Sequence, residues 1–184
     1  MEDREAMEII NTNIPEVKLI KQFRAEDSRG SFVKTFHESS FKNAGIEFEM
    51  KESFYSVSHK NVIRGMHFQH PPHDHAKIVF CTEGTIIDVA LDIRKNSPTY
   101  GQYVCAELSF ENNTAIYIPS GFAHGFKTLT DRATTFYFVS SENNRDADDG
   151  ILHTGFGLNW EIENPIVSAR DMEFKSFDEF KSPF

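Results

Sequence analysis

Apolar and polar residues alternate with a period near two along much of the chain. Residues 85–93, TIIDVALDI, show it well: Ile87, Val89, Leu91 and Ile93 share one face, and Asp88, Ala90 and Asp92 the other. Comparable runs occupy 16–23, 31–36, 61–68, 77–84, 101–110, 114–120 and 134–140, separated by turn-forming stretches such as NSPT, ENN and PSG. Many short strands so punctuated predict an all-β sandwich, jelly roll or closed barrel. Helical pattern is scarce. SSFKNAG (39–45) predicts one or two turns ending at Gly45. FKSFDEFK (174–181), with Phe174, Phe177 and Phe180 at spacing three, predicts a short amphipathic helix whose rings pack on the barrel. Asp88 and Asp92 are read as solvated carboxylates on an outer strand face. No linker or repeat interrupts the pattern. A single domain over 1–184 is expected, with 1–15 an N-terminal extension and 172–184 a helical tail.

Composition narrows the partners. A hydrophobic content of 39% with 13% aromatics is that of a globular chain. The formal net charge of −9 argues against nucleic acid and anionic membrane as partners. An anionic ligand would need local Arg and Lys residues to oppose that field. Cys81 and Cys105 are too few for a disulfide framework and are read as free core thiols in a reducing compartment. The opening MEDREAMEII lacks the apolar core of a secretory signal, and no run is long enough to span a membrane. A cytoplasmic protein is expected.

Two chemistries compete. HFQHPPHDH (67–75) holds four of the eight histidines, and His73-x-His75 together with His124 of PSGFAHGF suggests a metal site. The spacing is poor for it: Lys77 follows closely, no carboxylate occurs before Glu83, and the prolines put His70 and His73 on a loop. No metal is expected. The alternative is acid–base catalysis. Arg64 and His67 of RGMHFQ reach one pocket only if the strand bends, which Gly65 permits. Histidine accepts a proton at neutral pH, a tyrosine such as Tyr137 returns one, and Lys77 steadies an oxyanion formed between. Each of these has a plainer reading as core or surface residue, and spacing alone does not show that they converge.

NVIRGMHFQ, KIVFCTEGTIIDVALDIRKNSPTYGQ, LSFENNTAIYIPSGFAHGFKTL and VSARD, in order from DSRGSF at 27 to Asp171, closely resemble the dTDP-4-dehydrorhamnose 3,5-epimerase family. The resemblance implies a double-stranded β-helix jelly roll (cupin) with short peripheral helices, a homodimer and no cofactor. It implies epimerisation of a nucleotide-diphospho-4-keto-6-deoxy sugar at C3 and C5 through an enolate at the C4 ketone. By matching motifs, His67 resembles the base, Asp171 its orienting carboxylate, Tyr137 the opposing acid and Lys77 the enolate-stabilising group. Arg29, Glu52, Arg64, His124, Asp148 and Arg170 resemble substrate contacts. The chain departs from the pattern in the ligand shell. Glu52, Ser53 and Phe54 replace Gln-x-Asn, Lys34 replaces a glutamate, Phe138 a lysine and Asp148 a glutamate. Single epimerisation at C3 or C5, a metal-dependent cupin enzyme and an idle sugar-binding cupin are the competing readings.

Overall fold

A computed structural model describes residues 7–184. Thirteen strands and two short helices are assigned among them. One antiparallel sheet holds β1 (Glu8–Asn11), β2 (Lys18–Lys21), β10 (Thr114–Ile118), β7 (Lys77–Glu83), β12 (Arg132–Val139) and β5 (Glu52–His59), in that spatial order. The facing sheet runs β13 (Asp148–Gly150), β6 (Ile63–Gln69), β11 (Phe122–Thr128), β8 (Thr85–Asp92) and β9 (Tyr103–Ser109). A separate hairpin joins β3 (Phe23–Asp27) and β4 (Gly30–Lys34). The architecture is the expected jelly roll.

Three apolar layers explain the strand patterns. Between the sheets lie Val79, Ile86, Ala90, Val104, Ile116, Phe122, Phe126 and Tyr137. Outside the five-stranded sheet, Met66, Phe68, Val89, Leu91 and Ile93 are covered by the chain after β13, including Ile151, Trp160 and Phe180. Outside the six-stranded sheet, Ile78, Phe80 and Ala115 pack under Phe41 of α1 (Glu38–Asn43). Such two-sided covering hides some strands from pattern reading. All seven residues of β11 are buried, so its sequence FAHGFKT carries no alternation. β5 is a sheet edge and mixes exposed Phe54, Tyr55 and Val57 with serines.

The same covering corrects the reading of Asp88 and Asp92. Both are wholly buried, because the outer face of β8 lies under the C-terminal segment and the inner face looks into the interior. Asp92 is satisfied locally by Arg94, Ser97 and Thr99. Cys105, expected in the core, is exposed. Residues 174–181 form turns, not a helix. Their backbone bonds to other segments, Leu152 N–H to Lys175 O and Phe177 N–H to Gly155 O. Their rings diverge, Phe174 toward His67, Phe177 toward Tyr100 and Phe180 toward Phe68. The helix in this region is α2 (Ala169–Met172) instead. At the other end, residues 8–11 of the expected extension form β1 and complete the sheet edge, while residues 1–6 lie outside the described residues.

The bend anticipated in β6 is present. Arg64 pairs with Phe126 and His67 with His124, so three steps on β6 oppose two on β11, a bulge centred on Gly65. Gly65 has φ +112°, and a Cβ there would stand 2.6 Å from Gly125 Cα and from the His124 carbonyl oxygen. Gly65→Ala is therefore expected to cost about 2–4 kcal/mol, through backbone strain plus overpacking. A urea titration reads this as a lower midpoint with unchanged slope. An unaltered midpoint would mean that the bulge relaxes freely.

Candidate active site

The two sheets splay to enclose a cavity of about 370 Å³, within the usual range of small-molecule sites. The five-stranded sheet contributes Arg64, His67, Gln69 and His124; the six-stranded sheet contributes Glu52, Phe54, Ser56, Lys77 and Tyr137. Asp148 of β13, Asn143, Arg170 and His75 also line it.

His67 is held from behind. Its Nε2 donates to Asp171 Oδ1 at 2.9 Å, while Asp171 Oδ2 accepts the Gly65 N–H at 2.9 Å. Ser168 caps α2 by accepting from the Asp171 N–H at 3.1 Å, so the cap also sets the carboxylate in place. Burial would push the Asp171 carboxyl up, but the bonds from His67, Gly65 and Ser168 outweigh it and hold it below the usual carboxylate range. An ionised Asp171 only accepts. The neutral His67 tautomer that this bond favours carries its proton on Nε2 and the free lone pair on Nδ1.

Tyr137 belongs to the opposite sheet. Its ring stacks on Phe54, with centroids 4.7 Å apart at 17°, and meets the edge of His124 at 5.9 Å. Burial, with Asp88 adding to it, pushes the phenol far above its ordinary value, so the hydroxyl stays protonated across the neutral range. Lys77, also buried, donates from Nζ to the His67 carbonyl oxygen at 3.2 Å. Burial lowers its ammonium to about 8, against partial opposition from Asp148 and Asp88. His124 Nε2 donates to Asp88 Oδ2 at 2.7 Å, and burial outweighs this carboxylate to lower the imidazole. Arg64 is fixed by neutral partners, Ser58 Oγ at 3.0 Å and Val57 O at 3.2 Å. Arg170 pairs with Asp148 at 2.8 Å, and Glu52 accepts the Asn143 N–H at 2.7 Å.

His67, Lys77, Tyr137, Glu52, Arg64, His124, Asp148 and Arg170 thus come together at one pocket, with Asp171 directly behind His67. Arg29 does not join them. It sits at the tip of the β3–β4 hairpin, 87% exposed, and is paired with Asp27 at 2.6 Å. The candidate metal histidines also part company. His73 turns to Asn144, His75 to Gln69 and Ser141, and His124 to Asp88. Among the described residues no three His, Cys, Asp or Glu side chains gather in a metal-binding arrangement. His75 lines the pocket; burial first, then Lys77 and His124, lowers it to about 3, so it works as a neutral group. Sequence reasoning missed Asp88 and Ser56 as members of the site. Asp88 alone left a trace, a carboxylate on the same strand face as Ala90, but only the pairing of β8 with β11 gives it His124.

An imidazole at the cavity wall, backed by a buried carboxylate and facing a phenol across a jelly-roll cavity, defines the class, a cupin-fold isomerase. The family model for dTDP-4-dehydrorhamnose 3,5-epimerase matches residues 11–179, and the chain belongs to that family. The enzyme of that name from Shigella flexneri is 38% identical over 174 residues, covering 93% of this chain and 96% of the relative. A dTDP-6-deoxy-D-glucose-3,5-epimerase from Legionella pneumophila, solved with dTDP-4-keto-L-rhamnose, superposes with a TM-score of 0.91 at 33% identity over 95% of each chain. A 3'-monoepimerase from Streptomyces bikiniensis, solved with dTDP-quinovose, superposes with a TM-score of 0.85 at 29% identity. It covers 91% of this chain and 86% of its own. The chain is accordingly an epimerase.

Proposed function

We propose that the pocket takes a dTDP-linked 4-keto-6-deoxyhexose and inverts it at C3 and C5 without a cofactor. The observation that carries this reading is the placement of His67 and Tyr137 on opposite sheets across one cavity. Inversion requires a base on one face of the ring and an acid on the other. His67 Nδ1 takes the proton α to the ketone, and the C–H electrons move into the enolate with negative charge on the C4 oxygen. The Lys77 ammonium stabilises that oxyanion where water is scarce. Tyr137 then returns a proton from the opposite face, its O–H electrons remaining on oxygen until solvent reprotonates it. Asp171 stabilises the imidazolium in the interval.

Arg64 and Arg170 are the cations for the diphosphate, with His124, Glu52 and Asp148 contacting sugar or nucleotide. Arg29 reaches the ligand from a second copy of the chain. A homodimer is supported by the exposed Tyr55 and Val57 on the edge strand β5 and Phe32 on the hairpin. Light scattering reads the dimer directly; a monomeric mass removes that role for Arg29. The two free thiols suit a reducing compartment, and we place the enzyme in the cytoplasm. Among the described residues no helix is long and apolar enough to cross a membrane.

A panel of 4-keto-6-deoxy sugars linked to dTDP, UDP and GDP tests the substrate. Turnover is expected with the dTDP sugar, and turnover confined to another nucleotide contradicts the assignment. The pH dependence is a second check. As pH rises through about 8 Lys77 loses its charge, so kcat is expected to fall there. Stability moves the other way. The unfolded chain holds this proton up to 10.5, so the contribution of Lys77 to stability rises between about pH 8 and 10.5. In Lys77→Arg the alkaline fall in kcat should shift upward, since guanidinium keeps its charge. A limb that stays in place assigns it to another group.

A further inference from the structure

We propose that Phe54 is a positioning residue for the acid, holding the Tyr137 phenol in the orientation that delivers its proton to the enolate face opposite His67. The proposal rests on the proton-transfer roles given above to His67 and Tyr137. Phe54 and Tyr137 are directly opposed in the β5–β12 register, so their side chains leave the sheet on the same face. The rings are nearly parallel, 17° apart. At the hydroxyl the neighbour is Ser56 Oγ, a single polar contact that does not fix the plane of the ring. That plane is set between the Phe54 face and the His124 edge. The resemblance leads one to expect an asparagine at position 54, which cannot stack in this way. The restraint is thus a feature of this chain's own pocket wall.

The consequence is a partition. Once His67 has taken the proton, the enolate has two exits. Protonation by His67 restores the original configuration; protonation by Tyr137 inverts it. In deuterium oxide Tyr137 delivers deuterium to inverted product, and His67 delivers it to unconverted substrate once the proton it abstracted has exchanged with solvent. A ring freed from its stack spends less time aligned, and the first exit gains. Stacked aromatic pairs are worth roughly a 2- to 12-fold bias in such an equilibrium.

The test is the ratio of deuterium in unconverted substrate to deuterium in inverted product, read by proton NMR on the dTDP-linked 4-keto-6-deoxy sugar. In Phe54→Ala the ratio is expected to rise about 2- to 12-fold. Phe54→Tyr, which keeps the stacked ring, should return it to the wild-type value. Phe54 is 43% exposed on an edge strand, so truncation is compatible with folding, and Phe54→Leu gives the same reading with an apolar side chain kept. A merely structural loss lowers both exits together and leaves the ratio unchanged, which overturns the proposal. Failure of Phe54→Tyr to restore the ratio overturns it as well. A wild-type enzyme that exchanges no deuterium overturns the proton-transfer roles themselves, and with them this one; an unchanged ratio in exchanging variants overturns the role of Phe54 alone.

Discussion

His67→Ala is expected to lose about 10²- to 10⁴-fold in proton exchange at the sugar while keeping its fold, the range set by removal of a general base. The side chain is 31% exposed at the cavity wall, so truncation opens the pocket rather than the core. Asp171 keeps the Gly65 N–H as a partner after the change, and its own N–H still bonds Ser168. Circular dichroism should therefore show an intact sheet fold beside an enzyme that barely exchanges. Exchange near the wild-type rate would mean that another group takes the proton, and His75, neutral and in the same cavity, would be the first to examine.

Tyr137→Phe should separate exchange from inversion. The substitution removes one oxygen and keeps the ring that stacks on Phe54. Stability should change by no more than about 1 kcal/mol, the scale of a single hydrogen bond. Inverted product is expected to fall by about 10²- to 10⁴-fold, whereas deuterium continues to enter unconverted substrate from the His67 face after the abstracted proton exchanges with solvent. Full inversion by this variant would show that water or another donor serves the second face.

The sequence already carried the strand-rich class, the bend at Gly65 and the proton-transfer residues, for separate reasons. Alternation is a local property and survives wherever one strand face is polar or exposed, as in β9, where Val104, Ala106 and Leu108 are buried and Cys105 and Glu107 exposed. It fails where tertiary covering buries both faces. That is why β11 leaves no pattern in the sequence and why Asp88 and Asp92, polar letters on an alternating strand, read as solvent-facing although both are buried. The bulge was legible because Arg64 and His67 can share a pocket in no other way. His67, Tyr137, Lys77 and Asp171 came from motif resemblance; no spacing rule joins residues 67 and 171, which meet only because α2 packs against β6. Phe174, Phe177 and Phe180 mimic one helix face, yet each ring answers to a different neighbour. The histidine cluster of 67–75 likewise reads as one group only in one dimension. In three, His67 faces Asp171, His70 faces Asp149 and His75 faces Gln69.

The central claim is that one cavity moves protons at both carbons flanking the ketone. Proton NMR of the wild-type enzyme with dTDP-4-keto-6-deoxyglucose in deuterium oxide tests it most directly. Deuterium should replace hydrogen at C3 and at C5, with both centres inverted in the product. Deuterium at a single carbon contradicts double epimerisation, and deuterium at neither contradicts the pairing of His67 with Tyr137 as base and acid.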